Sequence, residues 1–512
     1  MKKNSCLRLV FLAFSIILVI SVSYIDPSKE ATAASTFAKG ADVSWVPAME
    51  AQGYVWYNKA GVKTDVLTML RDDYGINSIR LRVFVNPSTD YGSGWCDTAN
   101  TVAMAKRAKA LGLRVMIDFH YSDTWADPAH QAKPAAWTSY SFGDLKTAVY
   151  NHTYSVMSAL AAANIYPEWV QVGNETNNGM LWNDGMASSS FSNFAQLINS
   201  GYSAVKAVSS SSKVIVHLSN GYDSSLFSWM FNGLVSNGAN FDVIGLSLYP
   251  TPNSWASYNS LAYSNMQSLV STYGKEIMVC EAGMNYQYPE AAANFLADLI
   301  DKTQALSGSK GLGVFYWEPE AVPGYNDNYL LGATNSNGTP TGALNGFLDS
   351  YTITDTNASK TGTNLVTNPG FEADNAATLT PTGWTKWAST NANLKASFVE
   401  WSSYAYAGSY KLTHYSSSSY KVSNLQNFSG LTNGKYLLRA YVMNSGGQNS
   451  CYVYVKNHGS TEIDVNLPVT NTWIQVIVPV TVSSGKLQFG FYSDANAGNW
   501  CNIDNVELFK IN

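Results

Sequence analysis

Two short apolar runs end on carboxylates: Trp169-Val-Gln-Val-Gly-Asn-Glu175 and Ile277-Met-Val-Cys-Glu281. Hydrolysis of a glycosidic bond needs one carboxyl group to protonate the leaving oxygen and a second to meet the oxocarbenium-like carbon, and two Glu residues presented from strand ends suit that chemistry. An isolated Glu after a strand is more often a solvated or salt-bridged loop residue, so the company of these two decides the reading. Asn174 directly precedes Glu175, where its amide can donate to a sugar hydroxyl beside the reacting carbon. The stretch Asp118-Phe-His-Tyr-Ser-Asp-Thr-Trp-Ala-Asp127 and the strand end Phe315-Tyr-Trp-Glu-Pro319 add polar and aromatic groups. Glu175 suits the acid/base role and Glu281 that of nucleophile. Trp125, Trp182, Tyr249 and Trp317 stand at or beyond strand ends as stacking platforms. Asp42, His120 and Asp127 stand as further contacts to substrate. Arg80 and Arg82 alternate with Leu81 and so point to one face. Arg82, nearer the C-terminal end of its strand, is expected to orient Glu281 and keep it ionised, Arg80 to fill a core layer, and Glu318 to sit at the rim. No set of His and acidic residues at metal spacing surrounds His120, so catalysis is expected to need no cofactor.

The elements that must carry these residues alternate. Over residues 35–350 eight apolar strands are interleaved with amphipathic stretches: 38–44, 78–84, 114–120, 169–173, 213–219, 243–249, 277–280 and 313–317. Thr98 to Leu111, for example, places Val102, Ala105, Ala108 and Leu111 on one face and stops at Gly112. Eight β-then-α units predict a (β/α)₈ TIM barrel, whose C-terminal strand ends surround the cleft. An open doubly wound sheet is the alternative, but no Gly-rich phosphate loop follows an early strand. Residues 351–363 are small and polar, as a linker is. Over 364–512 helical periodicity gives way to alternation punctuated by Asn433-Gly434 and Ser445-Gly-Gly447, which predicts an all-β jelly-roll sandwich. Residues 1–34 carry Lys2, Lys3 and Arg8, an apolar run from Leu9 to Val22 and small residues at Ala31 to Ala34, the pattern of an export signal.

Composition narrows the partner. Charged residues are 13% of the 512-residue chain, about half the usual share, and the net charge is −5 with no basic run beyond the N-terminus, so neither nucleic acid nor, once the signal is removed, a membrane surface is an expected partner. With Tyr 32 and Trp 15, the surface suits a neutral polysaccharide, and a secreted monomer is expected. Cys451 and Cys501 share the C-terminal region; a disulfide and a pair of free thiols are equally compatible with the sequence, while Cys280 reads as a small buried hydrophobe.

The segments Gly40-Ala-Asp-Val-Ser-Trp45, Arg80-Leu-Arg-Val-Phe84, Asp118 to Pro128, Val172-Gly-Asn-Glu175 and Tyr316-Trp-Glu-Pro319 together resemble the motifs of glycoside hydrolase family 53, the endo-β-1,4-galactanases, over residues 37–348. The resemblance implies a clan A barrel, retaining chemistry, β-1,4-galactan or type I arabinogalactan as substrate, Glu175 as acid/base and Glu281 as nucleophile. Where some bacterial members carry a calcium loop after the nucleophile strand, Ala282-Gly-Met-Asn-Tyr-Gln-Tyr-Pro289 leads straight into a helix, so no barrel calcium is expected. The C-terminal unit is similar to jelly-roll carbohydrate-binding modules, family 61 in particular, through Asn368-Pro-Gly-Phe-Glu372 and Asn502-Ile-Asp-Asn-Val506. That resemblance implies Glu372 and Asp504 as ligands of a structural calcium. Trp384, Trp387, Trp401 and Trp500 are its candidate platforms, at least two of them core residues. Paired Glu residues do not identify the sugar, so a mannanase, an endoglucanase or a non-catalytic wall-binding protein are the rival readings.

Overall fold

The computed structural model describes residues 37–88, 95–252, 254–351, 353, 360–361, 363–467 and 469–511. The expected export signal and most of the expected linker lie outside them. Eight parallel strands, β1 (Ala38–Asp42), β2 (Ser78–Val83), β3 (Arg114–Phe119), β4 (Trp169–Val172), β5 (Lys213–Leu218), β6 (Val243–Leu248), β7 (Glu276–Ala282) and β8 (Gly311–Trp317), pair in chain order and close where β8 meets β1. The TIM barrel expected from the sequence is therefore present.

Seven long helices follow the strands in turn: α1 (Val66–Tyr74), α2 (Thr98–Ala110), α3 (Phe142–Ala162), α4 (Phe191–Val208), α5 (Ser224–Ser236), α6 (Trp255–Tyr273) and α7 (Pro289–Gln304). Their starts are set by local chemistry. Asp65 and Asp97 accept the N–H groups of Thr68 and Asn100, and Ser141 and Asp144 form a capping box. After β8 the pattern breaks: Pro319, Pro323, Gly324 and Pro340 interrupt the chain, and in place of an eighth long helix come a short helical turn, Tyr325–Asn328, and a 3₁₀ segment, Ala343–Phe347, that packs on α7.

The barrel interior is layered. Ala38, Met116, Trp169, Ile215, Met278, Cys280 and Phe315 form an apolar plug, and Gly40 lies so close to it that a Cβ there would meet the Phe315 ring at 2.2 Å. Two residues further along the same inward faces, the strands turn polar: Asp118 follows Met116, Gln171 follows Trp169 and His217 follows Ile215. On β7 strict alternation would send Glu281 outward from Cys280. A register shift that pairs Leu246 with Val279 but Ser247 with Glu281 brings it in.

The C-terminal region holds two antiparallel sheets. One has the order β10-β11-β18-β13-β16, from β10 (Ser397–Trp401), β11 (Tyr410–Tyr415), β13 (Gly434–Asn444), β16 (Thr470–Val482) and β18 (Trp500–Ile511). The other runs β9-β12-β17-β14-β15, from β9 (Thr385–Ala388), β12 (Tyr420–Ser429), β14 (Gln448–Lys456), β15 (Ile463–Asn466) and β17 (Lys486–Ala495). Val442, Val453, Val476, Phe489, Phe491 and Ile503 fill the space between them. The outer face of the first sheet is apolar, and its Leu437, Ile477, Phe509 and Ile511 belong to the same buried cluster as the barrel, against which β16 meets α6. Among the described residues no helix is long and apolar enough to cross a membrane.

Candidate active site

At the C-terminal ends of the barrel strands His120, Trp125, Asp127, Asn174, Glu175, Tyr249, Glu281, Trp317, Tyr329 and Leu331 line a cavity of about 350 Å³. Glu175 leaves β4 through Gly173 (φ 90°) and itself turns left-handed, φ 42°, a conformation that costs a non-glycine residue on the order of 1–3 kcal/mol and is held here by Thr176 N donating to the His217 carbonyl at 2.8 Å. Glu281 is buried, with one oxygen 2.9 Å from Arg80 Nη2 and the other accepting the Tyr249 hydroxyl at 2.7 Å.

Arg80 organises the polar layer. Its guanidinium donates to Asp42 (2.6 Å), Asp118 (2.9 Å), Gln171 (2.6 Å) and Asn174 (2.9 Å) besides Glu281. Burial alone would push Asp118 up, but Arg80 and His120 hold it down at about 2. His120 donates to Asp118 from Nε2 at 2.9 Å, since its Nδ1 already accepts Ala126 N at the same distance. Glu175 has poorer support. Burial, then the nearby Glu281, push it up to about 8, and the hydroxyl of Ser247, donating at 2.6 Å, works against them. Burial raises Glu281 too, but Arg80 and Tyr249 pull it back. Of two carboxyl groups that favour one proton between them, the one without an arginine contact keeps it, which places the proton on Glu175 and the charge on Glu281.

Several expectations are corrected. Arg82 does not touch Glu281: it pairs with Glu318 and lies 3.6 Å from Asp42, buried beneath the rings of Trp45, Trp125 and Trp317 at 5.3, 4.3 and 5.8 Å. It is Arg80, expected only to fill a layer, that spans the interior to reach Glu281 on β7. Asp42, fully buried between both arginines, and Arg82 therefore stabilise the floor and do not line the cavity. Trp182 also lies outside the lining, its indole N–H donating to Asn178 O at 2.9 Å within its own loop. Glu318 is buried as well. Burial raises it to about 7, and burial together with Glu318 pushes Glu320 well above the usual carboxylate range. As a carboxylate Glu320 has no donor for either oxygen; as a carboxylic acid it donates to Glu318.

Sequence reasoning passed over Gln171, His217, Ser247 and Tyr329. A signal existed for three of them. Each lies two residues from an inward-facing residue of its own strand or strand end, Trp169, Ile215 or Tyr249, so strand alternation alone puts it inside, and a polar residue at an inward position of a barrel strand needs a partner. Tyr329 comes from the loop after β8 and packs on Trp45 and Trp317 at 5.3 and 5.0 Å, which no periodicity foretells.

The model of "Glycosyl hydrolase family 53" matches residues 38–359. This chain belongs to glycosyl hydrolase family 53. The "Probable arabinogalactan endo-beta-1,4-galactanase A" of Aspergillus terreus is 39% identical over 311 residues, 56% of this chain and 87% of that protein. The "Endo-beta-1,4-galactanase" of Bacillus subtilis is 33% identical over 313 residues, 56% and 71% of the two chains. The solved "Ignisphaera aggregans GH53 catalytic domain" superposes with a TM-score of 0.56 at 33% identity, covering 61% of this chain and 95% of that one. The family 53 chain is thus a glycoside hydrolase whose barrel carries the shared region.

In the sandwich of this family 53 chain Glu372 and Asp504 converge on the segment 406–410. Glu372 accepts Ser409 N and Tyr410 N, both at 2.7 Å, and Asp504 accepts Tyr406 N and Ala407 N at 2.9 and 3.2 Å. Hard oxygen donors suit calcium in kind, but these are already engaged with backbone hydrogens, and among the described residues no group of three or more His, Cys, Asp or Glu could hold a metal ion. Cys451 and Cys501 are buried free thiols, Cys451 Sγ 3.5 Å from the Ser493 hydroxyl and Cys501 Sγ 4.0 Å from Asn502 O. Trp384 is in the core. Trp387, by contrast, is 47% exposed and begins a row across the open sheet, Trp387, Ser423, Tyr492, Tyr452, in which each residue faces the next on the neighbouring strand. The Trp387 and Tyr492 rings lie 6.1 Å apart, those of Tyr492 and Tyr452 5.0 Å.

Proposed function

We propose that this protein is a secreted, monomeric endo-β-1,4-galactanase that cleaves β-1,4-galactan and type I arabinogalactan with retention of configuration. Glu175 protonates the departing glycosidic oxygen while Glu281 attacks the anomeric carbon; water then enters, gives its proton to Glu175 and releases the sugar from Glu281, which restores both groups. The observation that carries this reading is the unequal support of two carboxyl groups lining one cavity, the arginine-held Glu281 and the Ser-held Glu175. The galactanase names of the relatives support the choice of sugar, and the basic, apolar and small-residue sequence of residues 1–34 supports export. Residues 364–512 are proposed to act as a carbohydrate-binding module, with the Trp387, Tyr492, Tyr452 row as the face that stacks on the same polymer, because the opposite outer face is covered by the barrel. A reducing-sugar assay on potato galactan beside mannan and carboxymethylcellulose tests the activity. Release from galactan alone is the expected result. Release from mannan or carboxymethylcellulose instead would assign another endoglycanase, and release from none a binding protein.

A further inference from the structure

The donors and acceptors around Glu175 can be traced from a group that only donates. Arg80 Nε, 2.6 Å from Gln171, makes that atom the amide oxygen, so Gln171 Nε2 is the donor to Asp118 Oδ1 at 3.0 Å and to His217 Nδ1 at 2.9 Å. The backbone N–H of Glu175 points at the same ring nitrogen, at 3.4 Å. Asn174 Oδ1, which accepts Arg80 Nη2, faces it too at 3.0 Å as a single acceptor, while Asn174 Nδ2 donates to Ala126 O at 2.8 Å; a hydrogen on Nδ1 would serve this oxygen but would oppose both donors. Two donors thus converge on Nδ1. His217, held neutral by burial and by Arg80, has one ring hydrogen, which belongs on Nε2, 2.8 Å from Ser247 Oγ. With Ser247 receiving that hydrogen, its own is directed at Glu175 Oε1, 2.6 Å away.

We propose that His217 and Ser247 are positioning residues that reserve Oε1 of Glu175 as an acceptor, so that the proton delivered to the leaving oxygen sits on Oε2. This rests on the reading of Glu175 as acid/base and adds to it which oxygen works. During the second displacement the same Oε2 takes the proton back from water. The opposite tautomer makes the opposite assignment: with the hydrogen on Nδ1, Ser247 would donate to Nε2, and the 2.6 Å contact would need the proton of Glu175 on Oε1. The charged and titratable groups facing Glu175 are Glu281, Arg80, Asp127 and Tyr249, and those facing His217 are Arg80, Asp118 and His120. All remain in place in the variants below.

The first test needs no variant activity. In the full chain with ¹⁵N-labelled histidine, long-range ¹H–¹⁵N spectra, assigned by loss of one signal set in His217→Gln, should show His217 protonated on Nε2; protonation on Nδ1 overturns the proposal. The second test is kinetic. Ser247→Ala removes a donor that favours the carboxylate, so the basic limb of kcat/KM on galactan should move up by about one pH unit, with kcat about tenfold lower. His217→Phe should move the limb likewise, whereas His217→Gln, whose amide still donates to Ser247, should leave the limb in place. An unmoved limb in Ser247→Ala overturns the proposal. Glu175→Ala separates this from the reading beneath it. If that variant is inactive on galactan and recovers turnover of an aryl galactoside with azide while the Ser247→Ala limb stays put, the positioning role alone fails; if it still hydrolyses galactan, the acid/base reading fails.

Discussion

The barrel mouth and the open face of the sandwich are both proposed to meet the same polymer, yet they are built oppositely. The mouth takes charge out of water: Arg80, Arg82, Asp42, Asp118 and Glu318 are all essentially fully buried, and the aromatic rings lie over them as a lid on the floor. The open face of the sandwich instead leaves its rings exposed or half-buried at the surface, with Lys421 and Asp494 paired at the margin. Stacking needs only exposed ring faces and nearby hydroxyl or amide groups. Bond breaking needs two carboxyl groups held in different protonation states, which only a desolvated and asymmetric charge network provides. Variants in the mouth should therefore affect rate and stability, and variants on the open face should affect only attachment.

The largest expected effect is on rate. Glu281→Ala removes the proposed nucleophile but leaves Arg80 paired with Asp42 and Asp118, so the protein should fold while kcat on galactan falls at least ~100-fold. Azide should restore turnover of an activated aryl galactoside as the inverted glycosyl azide. Residual kcat above about a hundredth of wild type would show that Glu281 is not the nucleophile.

Arg80→Met attacks the network itself. Asp42 would retain Arg82 and Asp118 would retain His120, but the shared cation would be gone, and breaking a buried ion pair in this way costs about 3–5 kcal/mol. Urea unfolding should show that loss, and a variant within about 1 kcal/mol of wild type would mean the layer is held together without Arg80.

On the open face the scale is smaller and the quantity different. Trp387→Ala with Tyr492→Ala should weaken binding to insoluble galactan by about tenfold and leave kcat on soluble oligosaccharides within twofold. Undiminished binding in a pull-down would transfer the affinity to the cleft.

How much of this contrast the sequence carries depends on the range of the forces involved. The eight strands, the placing of Glu175 and Glu281 at one cavity and the sandwich texture follow from local periodicity and motif, and were legible. The partner of each arginine was not: Arg80 and Arg82 share a face and a spacing, and which one reaches β7 depends on how closure of the barrel arranges side chains from several strands. The inward turn of Glu281 depends on the shift opposite Ser247, a property of two strands together. The Glu318 and Glu320 pair was half visible, as a carboxylate before a proline, but its burial comes with partners distant in sequence, Arg82 and the Trp45 N–H for Glu318 and the Trp56 indole for the Glu320 carbonyl.

That pair yields the smallest and most specific prediction. Glu320 is raised, by burial first and by Glu318 second, far enough to remain a carboxylic acid in the folded protein. An unfolded chain releases that proton near pH 4.5, so above this pH the folded state holds a proton that the unfolded state has lost, and stability falls as pH rises. Glu318, raised to about 7, and Glu175, raised to about 8, act in the same direction over pH 4.5–8, since their folded values also lie above the unfolded one. Glu320→Gln replaces the acid by a neutral donor of the same shape. At pH 5 its Tm should lie close to wild type, within the equivalent of about 1 kcal/mol, because both states of the pair are satisfied there. Between pH 5 and pH 8 the variant should lose less stability than wild type, so the difference in Tm should move in its favour as pH rises. Parallel melting curves across that range would mean that Glu320 is ionised in the folded protein, and that the mouth tolerates an uncompensated carboxylate beside the arginine-paired Glu318, which a desolvated charge network should not do.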